Sequence, residues 1–359
     1  MRNKCTLLID GNWLLQSRFS VIGRGFEQNN PDIVKEQATK ELKELLARSI
    51  NVILNKFPSI DNIIMISDGG SWRKQLPIPD SLKDITYKGN RVQNVEIDWS
   101  YIYKALNQLS KRCKELGITT VNHNNIEGDD WIWYWSRRLN SDGINCIIWS
   151  SDNDLKQLVQ TDRETNSFTV WYNDIKGLYL PESLNRSVDL FDFFLHPEFE
   201  SPVLESLKKS SRKVDFINPN DIVMQKVICG DSGDNIKSIF RYEKNGRSYR
   251  ITEKEWDNIR DEFNLNNIDD FIHHKSNIVN SIVNNKKFKQ YKPNTTDIGC
   301  MFDYNIQLVW LHENVIPETI TMYMNQQEYK QFDINYIKSN FKVLLDDNDD
   351  MIKNIFEGL

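Results

Sequence analysis

The sequence predicts an α/β protein: a mostly parallel central sheet flanked by helices, with a smaller helical C-terminal region. Three observations carry that reading. Four short apolar runs have the length of buried strands, helical spacing lies between them, and acidic residues stand where each run stops. The first run, Cys5 to Ile9, closes at Asp10-Gly11-Asn12, and Arg18 and Arg24 follow in a segment without a clear period. Asn30-Pro31-Asp32 is a helix start, with a cap candidate and proline at the first helical position. Val34, Ala38, Leu42, Leu45, Leu46 and Leu54 continue it to Phe57-Pro58. A second run, Asn62 to Ile66, ends at Ser67-Asp68-Gly69-Gly70. After an irregular insert, Ile102, Ala105, Leu106, Leu109 and Cys113 resume helical spacing up to Leu116-Gly117. Ile118 to Val121 is the third run, and Glu127-Gly128-Asp129-Asp130 opens the helix that follows, Trp131 to Leu139. The fourth run, Ile144 to Trp149, leads through Ser150-Ser151 into Asp152-Asn153-Asp154, with a helical pattern after it. Phe168 to Tyr172 and Gly177 to Leu180 read as a further pair near an edge. Strands alternating with helices imply right-handed crossover connections.

From about residue 185 the character changes, which divides the chain into 1–185 and 186–359. Phe191-Asp192-Phe193-Phe194-Leu195 and the basic run Lys208 to Lys213 precede a short helix, Pro219 to Ile228. That helix ends at Cys229-Gly230-Asp231-Ser232-Gly233-Asp234-Asn235. Asn245-Gly246 is a hairpin-turn signal, and the remainder reads as mainly helical. Asp346-Asp347-Asn348-Asp349-Asp350 lacks the glycine of a calcium loop and reads as a solvated tail.

The 359 residues suffice for a large core, and no apolar run approaches the roughly 20 residues of a membrane helix. The start lacks the core and cleavage site of a signal peptide. Five scattered cysteines, never in a Cys-x-x-Cys pair, indicate free thiols in a reducing cytoplasm, with neither a zinc site nor a disulfide frame. The net charge of −6 argues mildly against a nucleic-acid partner, yet phosphate responds to local patches and not to the global sum.

The strand-end acids carry the chemistry. Asp10, Asp68, Asp152 and Asp154 follow three of the runs, Glu127, Asp129 and Asp130 follow another, and Asp231 and Asp234 come later. Each alone is a favoured helix cap. Parallel strands place their carboxyl ends along one rim, so together they must crowd. Two carboxylates about 4 Å apart repel by roughly 4 kcal/mol at an effective dielectric of 20, a large share of a typical stability of roughly 5–15 kcal/mol. Divalent cations remove the conflict, and an all-oxygen set suits magnesium or manganese. Two such ions about 3.5–4 Å apart are an arrangement for in-line displacement at phosphate.

The insert at about 71–98 is basic and dotted with aromatics: Trp72-Arg73-Lys74, then Tyr87-Lys88-Gly89-Asn90-Arg91. Lys88 and Arg91 share a face if they lie on a helical turn, and with Arg73 and Lys74 they could meet a phosphate backbone. Tyr87 or Trp72 would offer a ring for base stacking. His123, His196, His273, His274 and His312 form no ligand spacing, and no phosphate-loop or His-Glu-x-x-His motif occurs.

Taken in order, Leu8-Ile9-Asp10-Gly11-Asn12, Ser67-Asp68-Gly69, Trp72-Arg73-Lys74, Tyr87 to Arg91, Glu127 to Asp130, Ser150 to Asp154 and Gly230 to Asn235 resemble the 5′-nuclease (flap endonuclease) family. Within it they are most similar to the T-even phage type of RNase H. Tyr291-Lys292-Pro293-Asn294 and Met301-Phe302-Asp303-Tyr304 are similar, more loosely, to the C-terminal part of the phage enzymes. The resemblance implies a PIN-like fold and a magnesium-dependent nuclease that grips a 5′ single strand and cuts near its junction with duplex. It implies that Asp10, Asp68, Glu127, Asp129, Asp130 and Asp152 hold a first ion, and that Asp152, Asp154, Asp231 and Asp234 hold a second. Lys88 would approach the scissile phosphate with Arg91 beside it, which makes Lys88, Arg91, Asp129 and Asp152 the expected catalytic set. After Asn235 the chain departs from the family, lacking the glycines of a helix-hairpin-helix, and duplex contact would fall to Lys237, Arg241, Lys244, Arg247 and Arg250.

The expected activity is therefore two-metal hydrolysis, with Mg²⁺ or substituting Mn²⁺, of 5′ DNA flaps and RNA·DNA hybrids during primer removal in phage replication. Its partners would be nucleic acid with a 5′ single strand and a single-strand DNA-binding protein or another replisome component. The protein itself would act as a monomer in the host cytoplasm. Two alternatives compete: a PIN-type ribonuclease specific for single-stranded RNA, and a nucleic-acid clamp without catalysis.

Overall fold

Residues 4–83, 85–91, 93–184 and 213–345 are described by the structure, a computed structural model. They form two compact units that interleave along the chain. One comprises residues 1–70, 94–217 and 322–359, the other 71–93 and 218–321. The division is thus not the two consecutive stretches that the change of character at residue 185 suggested. Phe191 to Leu195, the basic run up to Arg212 and the acidic tail from Asp346 lie outside the described residues.

The first unit is built on strands β1 (Cys5–Asp10), β2 (Asn62–Ile66), β3 (Thr119–Val121), β4 (Asn145–Trp149), β5 (Gln160–Thr161), β6 (Phe168–Asn173), β7 (Gly177–Pro181) and β8 (Lys213–Ile217). Their order is β3-β2-β1-β4-β6-β7-β8, with β5 paired to β6. Every pairing from β3 to β6 along that path is parallel, as expected. The β6–β7 pair is antiparallel but does not end the sheet. A parallel β8 adds beyond β7; its Lys-Val-Asp-Phe-Ile does alternate, but over too few residues to stand out beside the basic run before it.

Strand alternation divides the sheet's two faces. Leu7, Ile9, Ile63, Met65, Ile147, Trp149, Val170 and Tyr172 share one core with helices α1 (Gly11–Ile22), α2 (Asp32–Lys56) and α3 (Trp99–Glu115). Helix α4 (Gly128–Ser141), with Trp131 and Trp135 fully buried, packs against the strands outside that core. Residues 322–345 complete the unit: Tyr329 hydroxyl hydrogen-bonds Thr6 Oγ1 at 2.8 Å, and Ile334, Ile337, Val343 and Leu344 are buried in the α1–α3 core.

Two local expectations change. The segment after Asp10 is a helix, α1. Its apolar residues, Trp13, Leu14, Leu15, Phe19, Val21 and Ile22, are spread around it and leave no stripe for a period to reveal. Helix α3 begins at Trp99, where the insert was expected to end, because Asp98 caps it, accepting Ser100 N–H at 3.2 Å. The helix expected after Asp154 is only a six-residue 3₁₀ segment, Asn153–Leu158.

The second unit gathers helices α5 (Pro219–Cys229), α6 (Glu253–Phe263), α7 (Ile268–His273), α8 (Lys275–Asn284) and α9 (Thr295–Val309) around its own core, which also buries Leu82 and Tyr87. Two small ribbons belong to it: β9 (Gly230–Asp231) with β10 (Ile236–Lys237), and β11 (Arg241–Lys244) with β12 (Arg247–Arg250). Asn245 and Gly246 both have positive φ (52° and 69°), as a two-residue hairpin turn requires. No helix among the described residues is long and apolar enough to cross a membrane.

Cys5, Cys113, Cys146 and Cys229 are buried and Cys300 is exposed. Burial pushes the thiols of Cys113 and Cys229 up to about 12. A neutral-pH disulfide reagent should therefore titrate one thiol quickly in the native protein and five after denaturation; two or more fast native thiols would contradict this packing.

Candidate active site

Parallel register decides where the strands of the first unit let go of the sheet. Asp10 pairs with Ile66, and Ile9 pairs with Trp149, so the end of β1 stands level with the exits Ser67–Asp68 and Ser150–Asp152. Ser150 Oγ donates to Asp10 Oδ2 at 2.6 Å, while Trp13 N–H donates to Asp10 Oδ1 at 2.9 Å, which makes Asp10 the cap of α1 as well. Asp68 N–H donates to Asn12 Oδ1 at 3.1 Å, tying the end of β2 to the start of α1. Asp68 Oδ1 accepts Gly128 N–H at 2.5 Å, an approach that a side chain at 128 would crowd: a Cβ there would lie 2.7 Å from that oxygen and force the carboxylate to shift. Asp152 Oδ1 accepts Asp154 N–H at 2.9 Å, and Asp152 N–H donates to Ser150 Oγ at 3.0 Å. Asn12 and Ser150 are thus positioning residues, to which reading by charge had assigned no role. The available signal was a short polar side chain one or two places beyond a strand end.

Three strands therefore deliver carboxylates that feel one another. Burial pushes the Asp10 carboxyl up to about 7. The Ser150 and Trp13 hydrogen bonds work against that rise, and the charges of Asp68 and Asp152 add to it. After burial, Asp68 also raises the Tyr103 hydroxyl. Glu127 (7% exposed) and Asp130 (0%) form a reciprocal capping box at the start of α4, with Asp129 between them on the first turn. Each of those two acids therefore has a structural task.

Among the described residues, no three His, Cys, Asp or Glu side chains close on a point tightly enough to hold an ion directly. The donors offered by Asp10, Asp68, Asp129 and Asp152 are nonetheless all carboxylate oxygens, the chemistry of a small hard cation. A hard divalent cation that keeps several of its waters needs only one or two direct carboxylates, so a spread of acids could hold one without a closed cage. A cation would also offset the burial and the carboxylate repulsion that together raise Asp10.

In the second unit the expected site residues meet differently. Lys88 has a left-handed backbone (φ 57°) in a turn, and its N–H donates to Asp234 O at 2.9 Å. Lys88 Nζ lies 3.8 Å from Asp234 Oδ2, Arg91 pairs with Asp234 Oδ1, and Tyr87 hydroxyl donates to Oδ2 at 3.3 Å. Lys88 and Arg91 thus do converge, through this turn and not a helical one. Lys226 pairs with Asp231 Oδ2, and Gly233 N–H donates to Oδ1 at 2.7 Å. Gly230 (φ 76°) lets the chain enter this loop, since a Cβ there would meet Ser238 N at 2.5 Å.

The expected nucleic-acid contacts divide. Arg73 is 2% exposed, its guanidinium lying over the Trp72 ring at 4.5 Å, and Trp72 and Tyr87 are themselves buried, so neither ring is open to a base. Lys74 and Arg241 are exposed, and Lys237 Nζ donates to Asn235 Oδ1 at 2.7 Å.

A doubly flanked, mostly parallel sheet with acids gathered at its carboxyl rim defines the class of α/β proteins that bind ligands at strand ends. Its membership can be given more narrowly. The family model for the N-terminal, resolvase-like domain of 5′-3′ exonucleases matches residues 5–187, half of the chain, and the chain belongs to that family. A 5′-3′ exonuclease of Mycoplasmopsis pulmonis is 24% identical over 258 residues, 70% of this chain and 69% of that protein. The bacteriophage T5 flap endonuclease, solved as a pseudo-enzyme-product complex with DNA and metal ions, is similar in fold. Its TM-score is 0.53 at 16% identity, over 95% of this chain and 100% of that one. The T5 5′-exonuclease with bound zinc gives the same TM-score at 15% identity and the same coverage.

Asp10 binds its proton more tightly folded (about 7) than unfolded (about 3.9). Its contribution to stability is thus full below about pH 4 and is lost as pH rises through about 7. In EDTA at pH 8, Asp10→Asn should therefore be more stable than the wild type by about 1–3 kcal/mol. That gain should vanish at pH 4. Urea unfolding at both pH values checks it, and equal stability at pH 8 would refute the electrostatic account.

Proposed function

We propose that this chain is a divalent-metal-dependent 5′-to-3′ nuclease that hydrolyses phosphodiesters in 5′ DNA flaps and RNA·DNA hybrids. Its biological task would be primer and flap removal during phage replication. The observation that carries this reading is the level, mutually repelling set Asp10, Asp68 and Asp152 in a chain of the 5′-3′ exonuclease family. Bound Mg²⁺, or Mn²⁺ in its place, would supply an activated water and a charge opposite the leaving oxygen. Asp10, Asp68, Asp129 and Asp152 would hold metal, with Asp154, Asp231 and Asp234 as further ligands. Glu127 and Asp130 set the first turn of α4 and so position Asp129. Lys88 and Arg91, whose present counter-ion is Asp234, have the charge to take a substrate phosphate instead. Lys74, Lys237 and Arg241 remain candidates for the flanking backbone.

Incubating a 5′-labelled flap and a matching RNA·DNA hybrid with Mg²⁺ tests this reading. Short labelled products should appear, stop with EDTA, and fall by about 100-fold or more for Asp152→Asn or Asp129→Asn, a loss of roughly 3 kcal/mol of transition-state stabilisation. Undiminished cleavage by either variant would refute the metal assignment. Cleavage of single-stranded RNA in preference to both substrates would favour the ribonuclease reading.

A further inference from the structure

We propose that a column of tyrosines in the second unit, with the cations beside it, forms a binding surface for single-stranded nucleic acid, and that Lys244 and Arg247 serve this surface in place of the duplex contact expected of them. The choice of nucleic acid as partner rests on the nuclease reading.

Charge is the first observation. The whole chain carries −6, yet residues 241–250 and 286–292 hold eight basic side chains against one acid, Glu243. The ribbon sets like charges directly opposite each other, Lys244 with Arg247 and Arg241 with Arg250, which disfavours the hairpin itself. Lys244, Arg247, Lys289 and Lys292 are exposed and make no ion pair or side-chain hydrogen bond among the described residues, whereas neighbouring Lys287 pairs with Glu255. Among the described residues, these four cations have no internal task.

The second observation is aromatic. Tyr242 and Tyr249 face each other across the ribbon, rings 5.5 Å apart and 14° from parallel, and Tyr242 stacks in turn on Tyr291 at 4.2 Å. Phe288 and Phe240 hold Tyr242 from the core side, and Tyr242 is 8% exposed. The column is therefore rooted, and Tyr249, 40% exposed, is its open end. Strand alternation puts Lys244 and Arg247 on the same ribbon face as the two tyrosines, and Lys289 and Lys292 flank Tyr291 in sequence. Rings for stacking among unpaired cations are the two parts of a single-strand site. Duplex hides its base faces, so an exposed, pre-stacked ring favours a strand whose bases are free.

Fluorescence anisotropy in EDTA, with a labelled single strand and its duplex, tests the proposal without cleavage. Tyr249→Leu should weaken single-strand binding by about tenfold or more and abolish quenching of a 2-aminopurine probe, leaving duplex affinity unchanged. Changing Lys244, Arg247, Lys289 and Lys292 together to Gln should reduce the slope of log affinity against log salt by about 3. Because opposed charges are removed, that variant should melt no lower than the wild type, which separates lost binding from lost folding. Wild-type affinity and quenching in Tyr249→Leu, an equal loss on duplex, or no affinity of the wild type for single strand would each overturn the proposal. A wild type that binds as expected but cuts no flap in Mg²⁺ would sink the nuclease reading and leave this surface standing.

Discussion

In-register parallel pairing of β2, β1 and β4 is the constraint on which the candidate site depends. A slip of one residue would turn Asp10 to the other face of the sheet and bury its carboxyl in a helix layer. The register is held by the fully buried Leu7, Leu8 and Ile9 between Ile63–Met65 and Ile147–Ile148. Polar ties then hold the acids once the strands end: Ser150 to Asp10, Asn12 to the Asp68 backbone, and the Gly128 N–H to the Asp68 carboxylate. An apolar core thus maintains an arrangement that burial and charge both oppose: burial first, and then the charges of Asp68 and Asp152, raise the Asp10 carboxyl.

Two of the expected metal ligands handle negative charge in contrasting ways. Asp10 stands near Asp68 and Asp152 and accepts from the Ser150 hydroxyl and the Trp13 N–H. In the second unit, Asp234 meets Lys88 and Arg91, and Asp231 meets Lys226. Burial pushes the Asp231 carboxyl up, but the Lys226 hydrogen bond and charge, with the Gly233 N–H, outweigh it and leave the group below its usual value. Asp10 calls for an added cation, whereas Asp231 already has one. A metal arriving at Asp231 or Asp234 would have to displace a lysine or arginine first, and an arriving phosphate could draw Lys88 and Arg91 away.

These differences explain what the sequence made visible. A buried strand followed by an acid is a local pattern, so β1, β2 and β4 and the acids after them could be read directly. The Asn245-Gly246 turn was equally plain, because two consecutive positive φ values suit those residues. What escaped depends on distant contacts. Arg73 and Trp72 look like a phosphate clamp with a stacking ring, but they fold onto each other and are buried. Helix α1 has no stripe because its apolar residues are dispersed, and its cap, Asp10, had already been given another role. Tyr249 could not be told from other tyrosines until β11 and β12 paired and Tyr291 came to rest on Tyr242.

The same long-range logic closes the first unit. Its core is complete only when the chain returns after residue 321, having formed the second unit in between. The returning segment is tied by backbone carbonyls: Arg112 Nε donates to Val343 O at 3.0 Å, Asn62 Nδ2 to Lys330 O at 2.9 Å, and Lys338 Nζ to Ile60 O at 2.8 Å. Two of these ties end at β2 or in the turn before it, and the Tyr329–Thr6 bond ends on β1, so they act on the strands that set the level of Asp10 and Asp68. Closing loops of more than 200 residues is slow but costs little more in entropy than closing loops half as long. The geometry of acids near residues 10 and 68 is thereby made to depend on apolar and polar contacts supplied some 270–330 residues later.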